Sequence, residues 1–84
     1  MNTNLDSATI KYLLGELGVE TLGLIAQGCI NNSEIIRLST VTKSCLDVKI
    51  PLLETLGLIR ILDGFYFITE YGNDILLKLT GWKK

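Results

Sequence analysis

The chain has 84 residues, 48% of them hydrophobic, and 8 Lys plus Arg nearly cancel 9 Asp plus Glu for a net charge of -1. That is room for one domain with one modest core, whose stability must come from efficient apolar packing or from a partner. Histidine is absent and Cys29 and Cys45 are the two cysteines, which argues against a disulfide framework and leaves too few ligands for zinc, so neither metal nor cofactor is expected.

Met1-Asn2-Thr3-Asn4 is polar and lacks the basic start and apolar stretch of a signal peptide. No apolar run approaches the roughly 20 residues that span a bilayer. A soluble cytoplasmic protein without membrane contact is expected.

Ser7 reads as an N-cap, followed by Ile10, Leu13, Leu14 and Leu17 at the i, i+3, i+4, i+7 spacing of one helical face. A second apolar set, Leu22, Ile25 and Ala26, runs on to Gly28. Gly15 and Gly18 interrupt the pattern, so one kinked helix and two consecutive helices both fit, with the break expected near Gly18.

Cys29-Ile30, between Gly28 and the turn-forming Asn31-Asn32, suits a brief strand. Ser33 then caps a short helix through Glu34, Ile35, Ile36, Arg37 and Leu38, which Ser39-Thr40-Val41 ends. Thr42 caps the next, from about Lys43 to Leu56, with Leu46, Ile50, Leu53 and Leu56 inward and Gly57 where a left-handed C-cap is wanted. Pro51 lies well inside it, where proline removes a backbone hydrogen bond and clashes with the preceding turn at a cost of about 3 kcal/mol. A kink, or a start later than Lys43, is the expected response.

After Gly57 the period changes from helical to alternating. Leu58 to Leu62 and Phe65 to Ile68 flank Asp63-Gly64, a strong signal for a tight hairpin. Pairing about that turn sets Leu62 opposite Phe65, Ile61 opposite Tyr66, Arg60 opposite Phe67 and Ile59 opposite Ile68. If Ile59, Ile61, Tyr66 and Ile68 face the core, then Arg60, Leu62, Phe65 and Phe67 face out. Thr69 caps a last helix with Gly72, Ile75, Leu76 and Leu79 in a stripe, and Gly81-Trp82-Lys83-Lys84 forms a short tail.

The fold class that follows is α+β and mainly helical. From Leu22 to Leu79 the sequence resembles the small winged helix-turn-helix domains of predicted archaeal transcriptional regulators. The residues that carry the likeness are Ser33-Glu34-Ile35-Ile36, then Leu46, Ile50 and Leu53, the exit Leu56-Gly57-Leu58-Ile59, and Tyr66-Phe67-Ile68-Thr69-Glu70-Tyr71-Gly72. The resemblance implies a single domain over 1–84: an extra N-terminal helix at 1–18, a winged-helix core at 19–68 with three helices and a two- to three-stranded wing, and a C-terminal helix at 69–80. It also implies that the third helix enters the major groove of double-stranded DNA while the wing touches the backbone or the adjacent minor groove. The groove-facing positions would then be Thr42, Lys43, Ser44, Asp47, Val48 and Pro51, with Arg37, Lys49 and Arg60 near phosphate.

Two functional expectations follow, and neither is an enzyme, because the acid-base, metal and nucleotide constellations have no residues to build them. The first is a DNA-binding transcriptional regulator, a homodimer whose interface draws on Ile10, Leu13, Leu14 and Leu17 or on Leu62, Phe65 and Phe67. The second is a winged helix that binds a protein partner instead of DNA. Cations gathered on the third-helix face would strengthen the first, and a neutral or acidic face beside an apolar wing would strengthen the second. Each residue also has a plainer reading: Lys43 and its hydroxyl neighbours as an ordinary capped helix start, the scattered arginines and lysines as solvated surface, and the N-terminal leucines as intramolecular packing.

Overall fold

The computed structural model describes residues 6–28 and 30–81. The polar start at residues 1–4, Cys29 of the expected brief strand, and Trp82, Lys83 and Lys84 of the tail lie outside the described residues. Among the described residues the chain forms α1 (Ser7–Ala26), α2 (Asn32–Leu38), α3 (Lys43–Thr55), β1 (Ile59–Leu62), β2 (Phe65–Ile68) and α4 (Glu70–Thr80), with β1 and β2 antiparallel. It is thus a mainly helical α+β chain, and none of the described helices is long and apolar enough to cross a membrane.

Each helix starts on a side-chain cap that takes one of the amides its first turn leaves unpaired. Asp6, Asn31, Thr42 and Thr69 accept from the N–H of Thr9, Glu34, Cys45 and Gly72 at 2.8, 2.9, 3.2 and 2.9 Å, each such cap stabilising by about 1 kcal/mol. Two of these correct the sequence reading. The caps are Asp6 and Asn31, not Ser7 and Ser33. At α2 the intrinsic preferences of Asn and Ser are alike, so a reciprocal pair decides. Starting at Asn31 puts Glu34 at the third helical position, where its Oε1 also accepts the Ile30 N–H at 2.8 Å.

The break in α1 falls at Gly15, not Gly18. Gly15 sits at φ 70, ψ 177, outside the helical region and in backbone that glycine alone adopts readily. Gly18 is buried instead, packed so closely that a side chain there would meet Leu14 Cβ at 2.8 Å. One glycine supplies the bend and the other the close approach. The bend lets Ile10 and Leu14 on one arm join Leu22 and Ile25 on the other in a single core with Ile35, Val41, Leu46, Ile50, Leu53, Leu58, Ile59, Tyr66, Ile75 and Leu76.

α3 begins at Lys43 and continues through Pro51, so the later start does not occur. Pro51 is exposed, as is Asp47, whose carbonyl is the one that loses an N–H partner; water can take that place at little cost. The helix leaves through two reverse bonds, Leu58 N–H to the Leu53 carbonyl at 3.0 Å and Gly57 N–H to the Glu54 carbonyl at 2.9 Å, with Leu53 and Leu58 both buried beneath them. The hairpin forms in the register read from the sequence, around Asp63 and Gly64 with φ of 53 and 80. Of the two or three strands expected, two form among the described residues, and Ile30 is not part of a strand. Its carbonyl instead accepts one bond, from the Tyr66 N–H at 2.8 Å, along the edge of β2.

Candidate nucleic-acid interface

At 100° per residue, Leu46, Ile50 and Leu53 put one side of α3 into the core, the opposite side carries Ser44, Val48, Pro51 and Thr55, and Lys43, Asp47 and Glu54 line the flank between them. All of these are exposed, Val48 at 64%. The sequence reading named the first part of this surface and missed Glu54 and Thr55, although the helical spacing from Pro51 and Asp47 was enough to find them.

Thr42, Lys43 and Ser44 stand together at the amino end. The Thr42 hydroxyl is committed to the Cys45 N–H. Lys43 Nζ lies 3.2 Å from Asp47 Oδ2, one turn along, with side-chain exposures of 72% and 57%. A pair this exposed contributes little, between about 0 and 1 kcal/mol, so Lys43 can exchange Asp47 for another anion almost freely.

The other cations lie elsewhere. Lys49 is half-buried on the α1 side of α3: its Nζ and Cδ lie 3.9 and 3.6 Å from where side chains at Gly15 and Gly18 would begin. The structure thus draws Lys49 away from the outward face, toward the break in α1. Arg37 is exposed in the last turn of α2, and Arg60 is exposed on the outer face of the hairpin, across from Phe67. The exposed charges of α3 are therefore one cation, Lys43, against two carboxylates, Asp47 and Glu54, all on one flank of the helix.

Beside it, Leu62, Phe65 and Phe67 are 55%, 43% and 45% exposed. Leu62 and Phe65 are direct cross-strand partners and Phe67 lies two residues along the same face, so the three form one apolar surface. Of the four leucines and isoleucines assigned to an interface on α1, Ile10 and Leu14 are buried in the chain's own core, which removes them from any such surface, while Leu13 and Leu17 remain partly exposed. Tyr12, 86% exposed, and Ile36 and Leu38 on α2 are further exposed apolar side chains that the sequence reading did not single out.

No family model, curated protein or solved structure matches this chain.

Behind the apolar surface of the hairpin lies Tyr66, the buried residue of β2. Its hydroxyl donates to Asn32 Oδ1 at the start of α2. Burial, and secondarily the negative charge of Asp47, hold the phenol above its usual pKa, so the donor proton stays in place. The other joint is the Leu58 carbonyl, which accepts both the N–H and the hydroxyl of Thr69 at 3.0 and 3.1 Å. The single hydroxyl proton of Thr69 is shared with the Gly57 carbonyl, the nearer acceptor at 2.7 Å. The end of α3 and the start of α4 are thereby fastened to each other across the base of the hairpin.

Proposed function

We propose that this chain is a winged helix-turn-helix module of a DNA-binding transcriptional regulator, with α2 and α3 as the helix-turn-helix pair, β1 and β2 as the wing, and a second copy of the chain completing a cytoplasmic homodimer. The observation that carries the reading is that α3 follows α2 closely and leaves one whole side uncovered by its own chain. Lys43 and Ser44 stand at the amino end of that side, and exposed Arg37 and Arg60 stand on the neighbouring elements. In this role Lys43 reaches a phosphate or a guanine edge, Ser44 bonds a base or phosphate, and Val48 and Pro51 meet thymine methyl groups. Asp47 can accept from a cytosine amino group, the one base contact that suits a carboxylate.

Duplex titration at low and moderate salt tests this. Binding is expected to weaken as salt rises, and with Arg37, Lys43 and Arg60 as the phosphate contacts the log–log slope per chain is shallow, about -3. Lys43→Ala is expected to weaken binding and flatten that slope by about one. Absence of binding at low salt would overturn the reading.

A second reading is favoured by the balance of one cation to two carboxylates on α3 beside the apolar hairpin: the same scaffold binds a protein partner. Under it, duplex DNA is ignored at every salt concentration, and a charge placed at Phe67 abolishes the association while Lys43→Ala leaves it intact.

A further inference from the structure

α2 is the least anchored helix of the fold. It has seven residues, well short of the roughly 12 to 15 that a helix needs to persist alone in water. Ile35 is its buried residue, while Ser33, Ile36, Arg37 and Leu38 are exposed. At its carboxyl end Ser39 Oγ donates to the Ile35 carbonyl at 2.6 Å and accepts from Val41 N–H at 3.1 Å, and Val41 is buried; that end is tied to the start of α3.

The amino end is held by one residue of the hairpin. The Tyr66 N–H points off the free edge of β2 to the Ile30 carbonyl, and the Tyr66 hydroxyl reaches Asn32. From there the grip passes into the first turn, because Ile30 N–H bonds Glu34 Oε1 and Glu34 N–H bonds Asn31 Oδ1. We infer that Tyr66 is a latch: its hydroxyl bond to Asn32 docks segment 30–38 on the hairpin, and this segment opens locally as a unit while α1, α3, α4 and the hairpin stay folded. Local opening of this kind is what a short helix with one buried side chain permits.

The inference is tested on the free chain by amide hydrogen exchange, so its outcome is separate from that of the DNA titration. Tyr66→Phe keeps the ring and removes the donor. Asn32→Ala removes the acceptor from the other side without touching the Asn31 cap, and alanine favours helix, so any loosening runs against propensity. Each variant is expected to speed exchange at Ile35 to Leu38 roughly two- to tenfold, the range of one neutral hydrogen bond. Ile75 and Leu76 in α4 should be unaffected, and the double variant should add little to either single one. Unchanged α2 rates in either variant, or equal acceleration in α2 and α4, would overturn the latch.

Discussion

A methyl group at position 72 has nowhere to go. An ideal Cβ there would lie 2.1 Å from the Leu58 carbonyl oxygen and 2.8 Å from Ile68 Cγ1, and the first of these is backbone that also holds Thr69. Gly72→Ala is therefore expected to displace α4 and cost about 1 to 3 kcal/mol, seen as a lower urea midpoint with an unchanged slope. In the sequence Gly72 was visible as a member of an apolar stripe, but its reason was not, since nothing local says that another backbone passes within contact distance. Tyr66 was equally half-legible: alternation put it inward, while its bond to Asn32 spans 34 positions and leaves no periodic trace. Burial, and secondarily the charge of Asp47, hold the Tyr66 phenol in the folded chain above its ordinary value, so its contribution to stability is complete below about pH 10 and is lost as pH rises through the folded value. Alkaline unfolding followed by circular dichroism should show this loss, and Tyr66→Phe should remove it.

Helix ends and the hairpin register were the most legible elements, because their causes lie within a few residues. Thr42 and Thr69 cap where they were read, and Asp63-Gly64 sets every cross-strand pair. The misplaced boundaries, at Asp6, Asn31 and Gly15, are those where two neighbouring residues had nearly equal local claims and contacts elsewhere chose between them. On α3, Asp47 and Val48 are exposed, while Lys49, expected near phosphate, is half-buried against α1, because the room left by the glycines of α1 cannot be seen from α3 alone. Pro51 is the instructive case at this scale. Its exposed position lets the helix run through it, so the penalty is present but not prohibitive. Pro51→Ala restores an N–H for the Asp47 carbonyl and is expected to stabilise the fold by about 1 to 2 kcal/mol, after allowing for a freer unfolded chain. A thermal unfolding comparison checks the sign; a loss of stability would mean that the proline ring itself packs usefully.

For the molecule as a whole, the core and the free surface divide the apolar residues unevenly. The arms of α1 spend Ile10 and Leu14 inside, which leaves the hairpin's Leu62, Phe65 and Phe67 as a contiguous apolar area joined by strand pairing. If this area joins two copies, sedimentation velocity of the full chain gives a dimer and Phe67→Glu gives a monomer with an unchanged fold. A wild-type chain that sediments as a monomer at every concentration would leave the hairpin face to a different partner.

The bend in α1 also says something about handedness. At φ 70, ψ 177, Gly15 occupies the mirror image of a conformation comfortable for ordinary residues, and it is exposed. A chain assembled by chemical synthesis with D-alanine at that position would accept the bend without strain, whereas its L counterpart must resist it. The angle between the two arms thus depends on one α-carbon that, carrying no side chain, has no handedness of its own to oppose it.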